Sequence, residues 1–128
     1  MDNEHHNSPI VLALDKNRRN LELLDQFLRK NQYEVIGLTE PEKVPEYLDT
    51  GADIKVALID IGGFDRRIWE TCELLRTHDI PFVVISPKLT ELIFANSYKS
   101  GASNVLQKPL QIKQLLSLIA SFVGENNG

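Results

Sequence analysis

The chain carries a single cysteine, a single methionine and a single tryptophan among 128 residues. With Cys72 alone, no internal disulfide can form, which suits a reducing, cytoplasmic setting. Nothing approaches the run of roughly 18 apolar residues that a bilayer span requires, so no membrane segment is expected. Cationic excess is also missing. Its 14 Lys and Arg face 18 Asp and Glu, for a net charge of −4, which argues against direct nucleic-acid binding by this domain. There is no internal repeat and no low-complexity segment. The first nine residues, MDNEHHNSP, lack the apolar core of a signal peptide and are expected to form a disordered arm. His5 and His6 in that arm are expected to be solvated rather than metal-bound. Residues 124–128 are expected to be a tail or the stub of a linker.

What remains, residues 10–123, suits one domain, with 42% hydrophobic and 25% charged residues over the whole chain. Its pattern alternates strand and helix. Ile10–Leu14 (IVLAL) is a continuous apolar run, as in a strand buried on both faces. Asn17–Lys30 follows with Leu21, Leu24, Phe27 and Leu28 at helical spacing. Tyr33–Leu38 predicts a second strand. Thr39 opens TEPE, a capping-box pattern. Pro45 disfavours a helix interior, so the second helix should be short or start near it.

Ile54–Ile59 predicts the third strand. Asp65 is placed to cap a helix over Arg66–Thr77 that buries Ile68, Cys72 and Leu75. Phe82–Ile85 predicts the fourth strand, and Leu89–Ser100 the fourth helix, stopped by Gly101. Val105 and Leu106 mark a short fifth strand. Leu110–Val123 closes with one broad apolar face. Strands interleaved with helices predict an α/β fold, a parallel sheet with helices on both sides.

In such sheets, sites form beyond the carboxyl ends of the strands. Asp15, Lys16 and Asn17 follow the first strand. Asp60 follows the third, with Gly62 and Gly63 behind it. Ser86 and Pro87 follow the fourth, and Lys108 and Pro109 the fifth. Taken singly, each is more often a cap, a turn or a solvated loop residue. Their conjunction on one edge is much less expected by chance. Other residues have plainer readings: His78 on the last carbonyls of its helix, and Trp69 in core packing or partner contact. The pairs Arg18–Arg19 and Arg66–Arg67 read as solvated helix starts.

The stretches IVLALDKN, VALIDIGG, PFVVISP and GASNVLQKPL resemble the receiver domain of bacterial two-component response regulators, the CheY-like family. The resemblance covers Ile10 to Val123. It implies a flavodoxin-like (βα)5 three-layer sandwich with sheet order 2-1-3-4-5, and phosphoryl transfer from a histidine kinase or phosphotransfer protein to an aspartate. By matching position Asp60 is that acceptor. Ser86 is the hydroxyl that contacts the phosphoryl group and Lys108 the lysine that pairs with it. The Lys108–Pro109 bond is implied to be cis. Asp15, Asp60 and the Gly62 carbonyl are the implied ligands of Mg²⁺.

The chain also departs from that pattern. Receivers carry a second acid where Lys16 stands, so Mg²⁺ is expected to bind weakly or not at all. An ammonium within about 4 Å of Asp60 would attract it by a few kcal/mol at an effective dielectric near 20, before solvation costs. Lys16 would then replace part of the metal's charge or hold Asp60 unreactive. Pro87 stands where a small residue is usual, and Val105 where many receivers place a switching aromatic. Two readings follow: a working receiver that uses Asp60, or a phosphorylation-independent pseudo-receiver acting as an interaction module. An enzyme is not expected. A phosphatase with an aspartyl nucleophile wants an acid where Gly62 stands, and DKNRRN is no G-x-G-x-x-G dinucleotide loop. An output domain or a second copy would meet the fourth helix, fifth strand and fifth helix, where Leu92, Phe94 and Tyr98 are the candidate contacts.

Overall fold

The computed structural model describes residues 8–124. The arm up to residue 7, with His5 and His6, and the tail from 125 lie outside the described residues. The elements follow in order: β1 (Ile10–Leu14), α1 (Arg18–Lys30), β2 (Glu34–Leu38), α2 (Val44–Leu48), β3 (Ile54–Asp60), α3 (Ile68–Thr77), β4 (Phe82–Ser86), α4 (Glu91–Lys99), β5 (Asn104–Gln107) and α5 (Ile112–Val123). The strands form one parallel sheet in the order β2-β1-β3-β4-β5. This is the flavodoxin-like arrangement expected from the sequence. Pairing begins one residue ahead of β1, because the Glu34 N–H of β2 donates to the Pro9 carbonyl.

Successive strand residues point to opposite faces, and both faces are covered. Val11, Ala13, Val56, Leu58, Val83 and Ile85 pack with Leu21 and Leu28 of α1 and Leu115 and Ile119 of α5. Leu12, Leu14, Ile59, Phe82 and Val84 pack on the other side, with Val44 of α2 and Ile68, Cys72 and Leu75 of α3. Continuous apolar runs such as IVLAL are therefore needed rather than alternating ones. Phe82 is fully buried; its truncation to alanine should cost about 3–5 kcal/mol.

Helix starts differ from the sequence expectation in several places. The TEPE stretch makes no capping box: Glu40 precedes a 3-10 turn at Pro41–Lys43 without a side-chain cap. A proline at the first position of a turn gives up no bond, and it moves the start past Thr39. Pro45 sits in the first turn of α2, which is only five residues long. The helix α3 begins at Ile68 rather than Arg66. Asp65 caps the preceding turn instead, accepting the Arg67 N–H at 2.9 Å and the Arg67 guanidinium at 2.9 Å. Helix α4 begins at Glu91 rather than Leu89, capped by Thr90, whose hydroxyl accepts the Ile93 N–H. Gly101 follows α4 at φ +103°, a conformation that favours glycine.

Candidate functional site

Strand β1 lies between β2 and β3, so the connections after β1 and β3 run toward opposite edges of the sheet. Helix α1 covers one face and α3 the other. The two loops therefore part at the carboxyl end of the sheet and open a crevice, the usual ligand position in such folds. A cavity of about 410 Å³ sits there, lined by Asp15, Lys16, Asn20, Asp60, Gly62 and Lys108 among others.

Asp60 is the last residue of β3 and is 6% exposed. A buried carboxylate needs a charge partner and donors. Lys108 provides the first, its Nζ 2.5 Å from Asp60 Oδ2. The Gly62 N–H provides the second, 3.1 Å from Oδ1. Lys108 is aimed by its backbone, which donates to the Ser86 carbonyl at 3.0 Å, and it is followed by a cis peptide to Pro109. Gly62 is where a side chain would crowd the acid: a Cβ there would lie 3.3 Å from Asp60 Oδ1.

Asp15 is half-buried and turned toward its own loop. Its Oδ1 accepts the Asn17 N–H at 2.9 Å and its Oδ2 the Asn20 side-chain amide at 3.3 Å. Burial pushes the Asp15 carboxyl above its ordinary pKa, and repulsion from Asp60 adds to it, against those hydrogen bonds. Asn20 was not among the candidates from sequence. Its only signal was a place in the first turn of α1, facing the strand ends.

Lys16 does not pair with Asp60. Its Nζ donates instead to the Gly63 carbonyl at 2.9 Å and lies 5.7 Å from the centre of the Phe64 ring. The residues present do not fit a divalent cation. Such ions take carboxylate and carbonyl oxygens. Here each oxygen of Asp15 and of Asp60 already accepts one hydrogen bond or ion pair, so a cation would compete with those donors. An ammonium also lines the cavity. Among the described residues no cluster of three His, Cys, Asp or Glu could hold a metal.

Ser86 ends β4 beside this pocket, but its hydroxyl faces away from it. It donates to the Lys88 carbonyl at 2.6 Å and accepts the Lys88 N–H at 3.3 Å. Pro87 lines the cavity in its place. Val105 is buried in β5, opposite Val84, and presents no side chain that could swing. Asp65 lies outside the crevice, and its Arg67 partner lowers its pKa to about 2. Burial pushes the Cys72 thiol up to about 12, so it is no nucleophile at neutral pH. His78 Nδ1 lies 3.0 Å from the Leu74 carbonyl at the end of α3.

Two apolar surfaces adjoin the site. A cleft of about 540 Å³ between α1 and α5 reaches Asp60 and Lys108. Leu23 and Ile112, both about half exposed, stand among its walls. Helix α4 turns a small residue inward, with Ser97 buried, as is Ser100 just past its end. Their hydroxyls donate to the Ile93 and Asn96 carbonyls. It turns large residues outward: Leu92 is 69% and Tyr98 51% exposed, with Phe94 stacked on Tyr98 at 6.4 Å. Trp69 is half-buried against the core.

No protein-family model matches the chain. The heme response regulator HssR of Staphylococcus saprophyticus is 22% identical over 117 residues, 91% of this chain and 52% of that protein. The chain thus spans about half the length of the curated relative it matches. A two-component response regulator from Clostridium difficile aligns with a TM-score of 0.83 at 19% identity, over 94% of this chain and 100% of that one. A response regulator from Burkholderia pseudomallei has a TM-score of 0.77 at 16% identity, over 94% of this chain and 74% of that one. That structure carries a phosphorylated aspartic acid, a calcium ion and citrate. The fold of this chain is that of response-regulator receiver domains.

Proposed function

We propose that this receiver-fold domain serves two-component signalling by accepting a phosphoryl group on Asp60 from a histidine kinase or phosphotransfer protein. The observation that carries this is Asp60 itself: a buried carboxylate at the mouth of the sheet, held by a lysine from a different loop. An Asp60 oxygen attacks the phosphorus of a phosphohistidine. The P–O bond of an acyl phosphate forms as the P–N bond breaks, and the imidazole leaves with the electron pair and takes up a proton. Phosphoryl transfer asks the protein mainly for positioning and positive charge. Lys108, already on Asp60, moves to the incoming phosphoryl oxygens. Ser86 reaches them only by releasing the Lys88 carbonyl. The domain is then a stoichiometric acceptor rather than an enzyme, and it works in the cytoplasm.

The apolar cleft beside Asp60 supports a protein donor, since a bulky partner must seat its histidine at the crevice. The outward apolar face of α4 supports an output domain or a second copy as the downstream partner. No helix among the described residues is long and apolar enough to cross a membrane.

A second reading has its own observation. Asp60 is engaged by Lys108, and Ser86 is turned away. In that reading the same fold is a phosphorylation-independent interaction module. The two separate on one assay. Acetyl phosphate and phosphoramidate are supplied in Mg²⁺ buffer, and intact mass is compared with an Asp60→Asn variant. One phosphoryl adduct, absent from the variant, is expected. An unmodified protein with both donors supports the interaction module instead.

A further inference from the structure

Lys16 has no part in the transfer step, yet its side chain is fixed across the crevice. It starts on the loop after β1 and ends on the loop after β3. Besides the Gly63 carbonyl and the Phe64 ring, its stem packs on Gly63, where a Cβ would meet Lys16 Cδ at 3.2 Å. Gly63 has φ +83°, so its backbone turns the carbonyl in a way other residues rarely match. The residue after Asp15 is thus tied to the loop that carries the acceptor. Lys16 also lines the same cavity as Asp15, Asp60 and Lys108.

We propose that Lys16 is a positioning residue that takes the place of a divalent cation. Its ammonium clamps the loop after Asp60 to the loop after Asp15 and keeps divalent cations out of the crevice. Charge supports this. Asp15 and Asp60 contribute −2, and Lys16 and Lys108 contribute +2, so the cavity is neutral as it stands. A divalent ion would leave it at +2 and sit beside an ammonium. With aspartate at position 16, three carboxylates and one lysine would give −2, the charge such an ion offsets. The inference rests on the Asp60 reading only in its consequence, that phosphoryl transfer proceeds without divalent cation. The clamp and the exclusion rest on geometry.

The test titrates Mg²⁺ and Mn²⁺ into wild type, Lys16→Met and Lys16→Asp by calorimetry. Backbone amide exchange of Phe64 is followed in wild type, Lys16→Met and Lys16→Arg. Wild type should give no saturable binding at millimolar cation. Lys16→Asp should bind about tenfold tighter or more, and should lose that binding when Asp60→Asn is added. Lys16→Met, which removes the ammonium without adding a ligand, should also gain affinity, and it carries the test if Lys16→Asp does not fold. Exchange at Phe64, whose N–H donates to the Ile61 carbonyl, should speed up several-fold in Lys16→Met and recover in Lys16→Arg. Wild-type binding as tight as that of Lys16→Asp overturns the exclusion, and unchanged exchange overturns the clamp. A protein that takes no phosphate fails the Asp60 reading while leaving the cation titration legible. A wild type that binds Mg²⁺ fails this inference while leaving Asp60 as acceptor.

Discussion

Lys108 and Lys16 line one crevice from two different loops, and their environments differ. Lys108 is one-third exposed and reaches a buried carboxylate at 2.5 Å. Lys16 is exposed and reaches a backbone carbonyl at 2.9 Å. The first neutralises a charge that the fold has taken out of water. The second joins two loops in solvent, where an ammonium–carbonyl bond is worth little by itself. Burial of the acceptor atom, rather than the lysine, therefore sets the energetic weight of each contact.

That contrast can be broken most sharply at Lys108. Lys108→Met should cost roughly 2–3 kcal/mol in urea unfolding, below the 3–5 of a fully buried pair because Lys108 is partly exposed. Adding Asp60→Asn should restore most of the loss, since the orphaned charge is then gone. If the double variant is as unstable as the single one, Lys108 acts through packing and not through Asp60.

Gly63→Ala comes next. It forces a side chain to φ +83° and into the Lys16 stem, for about 1–2 kcal/mol. In a Lys16→Met background part of that cost should disappear, because methionine yields more readily; a cost independent of position 16 would locate all the strain in the backbone. Lys16→Met alone should cost about 0.5–1 kcal/mol.

The smallest effect concerns pH. Asp15 has a raised pKa in the fold, so the folded state holds its proton more tightly than the unfolded chain does. Stability from this group is present at low pH and declines as pH rises from 3.8 through the raised value. Asp15→Asn should flatten that decline and stabilise the protein at neutral pH by about 1 kcal/mol or less. Asp65 has the opposite sign. Its contribution is present above 3.8 and is lost as pH falls toward about 2. Urea midpoints across the acidic range would show the two trends, and an unchanged profile in Asp15→Asn would remove Asp15 from the site's electrostatics.

The sequence made the strands and their ends legible for a physical reason. A strand buried on both faces must be continuously apolar, so the first polar residue after IVLAL or VALI marks the sheet's edge. Asp15, Asp60 and Ser86 were found that way; in the short fifth strand Gln107 is the first polar residue, and Lys108 comes one position later. Side-chain direction was not legible. Lys16 could reach Asp60 or the facing loop, and the glycine backbone at 63 decides for the loop. Ser86 could face the pocket or its own loop, and Pro87 turns Lys88 within its reach. The TEPE stretch failed as a capping box because the proline at 41 moved the start of the turn. Periodicity places Cα atoms; local backbone dihedrals choose the hydrogen-bond partners.

The most direct single measurement follows intact mass over time with acetyl phosphate in a chelator, for wild type beside Asp60→Asn. An adduct on wild type alone, forming as fast in chelator as in Mg²⁺, is the predicted result. Formation only with Mg²⁺ would contradict the role given to Lys16, and no adduct in either buffer would contradict the role given to Asp60.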